Sequence, residues 1–118
     1  MLQTKQAVSD VRTAAGVTAA RLDVRHFDET QAQPAGEQLL RLADAAGAGE
    51  VRLDFAAVEY VSSTGLGQLL VLHKRLRAAG GRLSLCNVRP AVYEVFAVTR
   101  LTGVFNVRPQ EGAACRCA

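Results

Sequence analysis

The sequence has no tryptophan, and aromatic residues make up only 5% of its 118 residues. Nucleic-acid-binding surfaces typically combine a stripe of basic residues with exposed aromatic rings. Here the 14 basic residues are spread along the chain among 11 acidic ones, and the formal net charge is only +3. We therefore expect no nucleic-acid partner.

Long apolar segments are also missing. No segment approaches the 18 or so apolar residues that a membrane span needs, and no apolar stretch follows Met1 as the core of a signal peptide would. We therefore expect a cytoplasmic protein that does not contact a membrane.

Cysteine is scarce, and its three positions do not suggest a structural role. Cys86 lies in an apolar run, whereas Cys115 and Cys117 lie near the end of the sequence. An odd count without a C-x-x-C pair indicates neither a disulfide framework nor a closed zinc site, which needs four ligands.

The glycine patterns of nucleotide-binding loops are also missing, since the sequence has neither G-x-x-x-x-G-K-[ST] nor G-x-G-x-x-G. We expect a reducing compartment, no bound metal and no cofactor.

The remaining composition is that of one soluble domain, with 49% hydrophobic and 21% charged residues. Period-two alternation predicts strands, and apolar stripes at helical spacing predict helices. The expected strands are 17–24, 50–55, 82–87 and 104–107, separated by helices around 39–46, 66–76 and 90–96. Strands that alternate with helices predict an α/β sheet with parallel crossovers. We expect the domain to span 1–109, with 1–16 as an edge strand or a loose arm and 110–118 as a frayed tail.

The segment with the most chemical potential is the turn Ser62-Ser63-Thr64, between a predicted strand and a predicted helix. A hydroxyl there commonly caps the helix. The same position also suits a phosphorylated side chain, because helix N-termini attract anions. A hydrolase nucleophile would need a G-x-S-x-G elbow and a base, and only His26 and His73 are available. We expect no catalytic residues and no enzymatic activity, and we interpret His73 as a packing residue.

An ordered set of motifs resembles the STAS domain, a family named after sulfate transporters and anti-sigma factor antagonists. The motifs are Val51–Phe55, Val58–Gly67, Ala79-Gly80-Gly81, Leu85-Cys86-Asn87, Pro90 and Val95-Phe96. The resemblance implies a single STAS-type α/β domain with a mixed, mostly parallel sheet of four to five strands and three to four helices.

The resemblance also implies a function, that of an anti-sigma factor antagonist. In the family, the unmodified antagonist binds an anti-sigma factor that is also a serine kinase, and phosphorylation ends that binding. The family's acceptor position falls on Ser63, with Thr64 and Ser62 as alternatives, because Ser62 replaces the family's Asp and Thr64 its second Ser. The expected partner-binding residues are Asp28, Ser62, Ser63, Thr64, Gly65 and Leu66.

Other partners and other functions remain open from the sequence. The resemblance implies a serine phosphatase of the type 2C class as a second partner, and we expect a monomer or a weak dimer. A STAS accessory subunit of a lipid or anion transporter is the alternative function. An enzyme that hydrolyses a nucleotide or an ester is a third possibility, for which the sequence offers no catalytic base.

Overall fold

The computed structural model describes residues 8–104 and 106–109. Its three helices are separated by strands as the sequence predicts, and two short strands, at 26–27 and 60–61, are additional. In chain order they are β1 (Val8–Ala14), β2 (Val17–Leu22), β3 (His26–Phe27), α1 (Glu29–Ala46), β4 (Glu50–Asp54), β5 (Tyr60–Val61), α2 (Ser63–Ala78), β6 (Arg82–Val88), α3 (Pro90–Val98), a 3₁₀ turn at Leu101–Gly103, and β7 (Asn106–Pro109). The predicted α/β class is confirmed.

The main sheet has five strands in the order β1-β2-β4-β6-β7. Neighbours β2, β4, β6 and β7 are parallel, and only β1 is antiparallel to its neighbour. The mixed, mostly parallel sheet is therefore as expected. The segment 8–14 forms an edge strand, whose pairing shifts register between Ser9 and Arg12.

One face of the sheet forms the core together with the helices. Leu53 of β4 and Leu85 of β6 are register partners, and both are fully buried. They belong to one apolar cluster with Leu39 of α1, Leu72 of α2 and Phe96 of α3. Burying each leucine contributes roughly 1.5–3 kcal/mol. These helical contacts hold the ends of α1 and α2 in a fixed position relative to the strands.

The other face of the sheet is polar, because side chains alternate along each strand. Here the Ser84 hydroxyl donates a hydrogen bond to Glu50 at 2.6 Å, and Arg52 lies 3.3 Å from the same carboxylate. Burial raises the pKa of Glu50, but Ser84, Arg52 and Arg82 together outweigh burial and bring the pKa below its ordinary value of 4.5. Glu50 therefore stays ionised at neutral pH.

Three glycines close the end of the sheet where the parallel strands begin. Gly16, Gly49 and Gly81 each directly precede a strand, and the backbones of adjacent connections are hydrogen-bonded, from Glu50 N to Gly16 O and from Arg82 N to Gly49 O. A Cβ on Gly81 would fall inside contact distance of the Gly49 carbonyl, and one on Gly49 would meet the Gly16 carbonyl. We call this the amino end of the sheet.

The structure changes several boundaries that the sequence predicted. Strand β2 ends at Leu22 instead of residue 24, and helix α2 begins at Ser63 instead of residue 66. Helix α1 begins at Glu29, ten residues before its apolar stripe starts at Leu39, and carries Pro34 within its first turns. Strand β7 begins at Asn106, two residues later than expected. Residues 1–7 and the expected frayed tail 110–118 lie outside the described residues.

The cysteine prediction needs a correction at one position. Cys86 is disulfide-bonded, whereas the odd cysteine count indicated no disulfide framework. It is the only cysteine among residues 8–104 and 106–109; Cys115 and Cys117 fall outside them. In that same part of the chain, no helix combines the length and apolar character that crossing a bilayer requires.

Candidate functional site

The candidate site lies at the opposite end of the sheet, where two helices begin side by side. Strands β3 and β5 form a separate parallel pair, with His26 opposite Tyr60 and Phe27 opposite Val61. Each strand leads within one residue into the N-cap of a helix, so Asp28 and Ser62 occupy equivalent places. We call this the carboxyl end, the edge where α/β folds concentrate their sites.

Asp28 is the N-cap of α1. Its carboxylate accepts hydrogen bonds from the Thr30 amide at 3.1 Å and from the Thr30 hydroxyl at 2.7 Å. An aspartate at this position also favours the positive end of the helix dipole. Asp28 therefore fixes the start of α1 beside the Ser62–Thr64 turn.

Ser62 is the N-cap of α2. Its backbone is extended (φ −89°, ψ 175°), and its hydroxyl accepts a hydrogen bond from the Gly65 amide at 3.3 Å. Its own amide donates to the Phe27 carbonyl at 3.1 Å, and the residue is only 7% exposed. The capping role that the sequence could assign to either serine belongs to Ser62.

Ser63 and Thr64 are the first two residues of α2, and both are exposed. The first amides of a helix have no partner within the helix. The structure pairs the Ser62 and Gly65 amides with Phe27 and with the cap, and it shows no acceptor among the described residues for the amides of Ser63 and Thr64. An anion on the Ser63 side chain would therefore meet unsatisfied donors and the positive end of the helix.

Gly65 and Leu66 support this turn from inside. A Cβ on Gly65 would collide with the Phe27 carbonyl, so glycine is what lets α2 begin this close to β3. Leu66 is half-buried and packs against the apolar core. Of the six residues that the sequence named, Ser63 and Thr64 are the ones that present exposed hydroxyls.

An exposed rim borders the turn, and sequence reasoning missed it. The rings of His26 and Tyr60 meet edge to face, with their centroids 6.1 Å apart, and Tyr60 is 52% exposed. Arg25 and Glu59, one residue earlier on each side, form an ion pair at 3.4 Å. The strands involved have two residues each, too short for periodicity to reveal. The one available signal is an aromatic residue directly before Val61 and the hydroxyl turn.

The arrangement gives the serines little support for catalysis. His73 lies ten residues after Ser63 in the same helix, about 15 Å along its axis. Burial lowers the pKa of His73, and the charge of Arg77 lowers it further. Among residues 8–104 and 106–109, no group of three His, Cys, Asp or Glu side chains could hold a metal ion.

Three comparisons place this geometry among known proteins. The chain is 40% identical over 68 residues to BtrV of Bordetella bronchiseptica, which is named as a candidate anti-sigma factor antagonist. That match covers 58% of this chain and 59% of BtrV, so the chain spans little more than half of the relative.

Two solved structures share the fold. An anti-sigma-factor antagonist (STAS) domain protein from Planctomyces limnophilus superposes with a TM-score of 0.74 at 24% identity, covering 90% of this chain and 92% of the other. Murine Slc26a9, an anion transporter, gives a TM-score of 0.69 at 17% identity, covering 85% of this chain but 17% of the transporter. At these identities the likeness concerns the fold alone.

The sequence model of the STAS domain matches residues 11–114, which is most of the chain. The match includes both helix starts, the Ser62–Thr64 turn and the glycines of the amino end. This chain belongs to the STAS domain family.

Proposed function

We propose that this protein is an anti-sigma factor antagonist that works by partner switching. Its unmodified form binds an anti-sigma factor that is also a serine kinase, and phosphorylation of Ser63 ends that binding. A serine phosphatase of the type 2C class restores the unmodified form. The name of its relative supports the class of function, and the exposed Ser63 hydroxyl beside the buried Ser62 cap carries the assignment of the acceptor.

The three hydroxyls of the turn differ in how well they could serve as acceptor. A kinase would have to pull Ser62 out of a buried position and break its bond to Gly65. Ser63 and Thr64 need no such rearrangement, because both are exposed. Between them, the STAS resemblance selects Ser63. Thr64 is the alternative acceptor that an experiment must exclude.

Phosphorylation should act on the interface. A phosphate brings about −1.5 to −2 charges to a surface that the partner covers. Desolvating that charge without a partner group costs several kcal/mol. Since each 1.4 kcal/mol is a factor of ten, a cost of about 3 kcal/mol weakens binding roughly a hundredfold. A loss of this size is enough to exchange partners.

The acceptor is tested by incubating the protein with its cognate kinase and ATP, followed by mass spectrometry. We expect one phosphate on Ser63, none on Ser63→Ala, and undiminished labelling of Thr64→Ala and Ser62→Ala. Labelling that persists in Ser63→Ala and disappears in Thr64→Ala would move the acceptor to Thr64. A protein that neither binds nor is labelled by the kinase would refute partner switching.

We also propose that the protein has no catalytic activity of its own. A serine nucleophile needs a base within hydrogen-bonding distance, about 2.6–3.2 Å. His73 lies too far along α2, and among the described residues the structure shows no hydrogen bond between His26 and a hydroxyl of the Ser62–Thr64 turn. Purified protein should hydrolyse nucleotides and activated esters at the uncatalysed rate. Turnover that disappears in Ser63→Ala would contradict this proposal.

The alternative function is that of an accessory domain of a lipid or anion transporter, which the shared fold with a domain of Slc26a9 supports. Such a domain needs a docking surface but no acceptor hydroxyl. Under that alternative, the protein would co-purify with membrane components, and Ser63→Ala would leave its activity unchanged. Under partner switching, Ser63→Ala would bind the anti-sigma factor permanently.

A further inference from the structure

A groove runs between α1 and α2, from the acceptor turn toward the C-terminal ends of the two helices. The two helices start side by side and run in the same direction, and between them lies a cavity of about 410 Å³. Thr64 in the first turn of α2 lines its mouth. Farther along, an ion pair at 2.8 Å between Arg75 and Asp44 bridges the helices. The groove therefore begins at the proposed acceptor site and ends at this bridge.

The floor of the groove is largely apolar. The Gln68 side chain of α2 lies against Gly36 of α1, where an added Cβ would displace the flexible end of Gln68. Beside this close contact, Val71 is 47% exposed, and half-buried Leu40 faces it from α1. Val71 is one of a few large apolar side chains that the described residues leave exposed. A partner side chain could cover it.

The wall formed by α1 is acidic. Glu29 and Glu37 both line the groove and are exposed, and no ion pair is formed by either among the described residues. They are eight residues apart on one helix, about 12 Å along its axis. Within the described part of the chain, no lysine or arginine lines the groove. The nearest arginine on α1 is Arg41, one turn beyond Glu37, and Arg75 is already paired with Asp44.

We propose that the α1–α2 groove docks a basic segment of the anti-sigma factor and thereby selects which kinase this antagonist serves. The inference rests on the proposed function and names the partner's chemistry. The segment carries an apolar side chain for Val71 and Leu40, flanked by Lys or Arg residues that reach Glu29 and Glu37. A helix with basic residues seven or eight positions apart and an apolar residue between them meets this spacing.

Docking in the groove is separable from the chemistry at Ser63. Cations paired with Glu29 and Glu37 hold the partner, whereas the Ser63 hydroxyl meets the nucleotide at the mouth of the groove. Loss of the acidic wall should therefore raise the KM for phosphorylation and leave kcat nearly unchanged, because the reacting groups are untouched. Charges at the rim of an interface act mainly on association and on its salt dependence.

The test compares two double charge reversals in the full chain. E29K/E37K reverses the groove wall, and D23K/E94K makes the same change in charge at two exposed acids that do not line the groove. We expect E29K/E37K to weaken binding to the purified anti-sigma factor about tenfold and to flatten the salt dependence. The control should change affinity less than about twofold.

Glu29 lies in the first turn of α1, where its reversal also opposes the helix dipole. Glu37→Lys alone, in the middle of the helix, provides an independent variant without that complication. It should show a smaller loss of affinity in the same direction, with an unchanged melting temperature. An affinity of Glu37→Lys equal to that of the wild type would count against the groove.

The outcomes separate this proposal from the function on which it rests. Wild-type binding and Ser63 labelling, together with equal effects of the two reversals, would overturn the groove and leave partner switching intact. A wild-type protein that does not bind the anti-sigma factor would overturn both. A loss confined to E29K/E37K and Glu37→Lys, carried by KM, supports the groove.

Discussion

The amino and carboxyl ends of the parallel strands differ in structure, because the amino end is closely packed and the carboxyl end presents exposed polar side chains. At the amino end, Gly49 and Gly81 lie so close to the backbone of the neighbouring connection that there is no room for a Cβ. At the carboxyl end, Ser63 and Thr64 keep their hydroxyls exposed. In a parallel sheet, the amino ends of the strands all lie at one edge and the carboxyl ends at the opposite edge. The close backbone packing and the exposed hydroxyls are therefore at opposite edges of the sheet.

One residue complicates this contrast. Gly65 lies at the carboxyl end, yet it is buried against the Phe27 carbonyl as tightly as the glycines of the amino end are packed. The exposed hydroxyls therefore depend on a close backbone contact directly beneath them. The carboxyl end is a surface built on a packed base, and the predictions below test each part separately.

The largest effect on stability is expected at the amino end. Gly81→Ala would place a Cβ inside contact distance of the Gly49 carbonyl, and relieving that overlap requires the backbone to move. We expect a loss of about 3 kcal/mol in the free energy of unfolding. Urea denaturation with matched m-values measures it.

The matched control for this prediction is Gly67→Ala in α2, where a Cβ would meet nothing within 4 Å. An alanine in an open helical position should stabilise by roughly 0.5–1 kcal/mol, because it removes the entropy that glycine loses on folding. If the two substitutions changed the free energy of unfolding by similar amounts, close backbone packing at the amino end would not be what stabilises the fold.

Much of the fold was predictable from the sequence, because its long elements are strongly periodic. The alternating residues Val51 and Leu53 are buried. Of the predicted helical stripe Leu66, Leu69, Leu70 and His73, only Leu69 is fully buried, together with the flanking Leu72 and Leu76. The start of α1 was not predictable from periodicity, since its first two turns carry few apolar residues and include Pro34. The Asp28-Glu29 pair was the available signal, an N-cap followed by an acid in the first turn.

The candidate site was predictable in place but not in detail. Sequence reasoning located the turn, yet it could not tell Ser62 from Ser63, because the difference is burial beneath Phe27, a contact across 35 residues. The α1–α2 groove was missed for a similar reason. It is lined by residues of both helices, among them Gly36 and Gln68, and no local pattern records a contact between two helices.

A smaller effect is expected on the polar face of the sheet. Ser84→Ala removes the hydrogen bond to the Glu50 carboxylate at 2.6 Å, which should cost about 1.5 kcal/mol at pH 7. The pKa of Glu50 is lowered in the folded protein, so its contribution is complete above its ordinary value of 4.5 and is lost as the pH falls through the folded value. The difference between wild type and Ser84→Ala should therefore shrink below pH 4.5. A difference that is constant from pH 7 to pH 3 would show that Glu50 is not responsible.

The two serines of the turn should differ in their effect on stability by about 1 kcal/mol. Ser62→Ala removes the cap of α2 and leaves the Gly65 amide without its acceptor. Ser63→Ala removes an exposed hydroxyl for which the structure shows no hydrogen bond among the described residues, so the free energy of unfolding should stay within about 0.5 kcal/mol of the wild type. Equal losses would mean that the turn uses both hydroxyls.

The smallest effect on stability should come from phosphorylation of Ser63, although we expect its effect on binding to be large. A phosphate at the first position of α2 lies at the positive end of the helix, near the Ser63 and Thr64 amides, and should stabilise by roughly 0.3–1 kcal/mol. Asp28 and Glu29, at the start of the neighbouring helix, oppose it and keep the gain small. Thermal melting of the modified and unmodified protein, compared at low and high salt, measures the difference. A gain that salt reduces supports the placement. If the modified protein melts far lower and its affinity, corrected for the folded fraction, is unchanged, then the switch works by unfolding the carboxyl end.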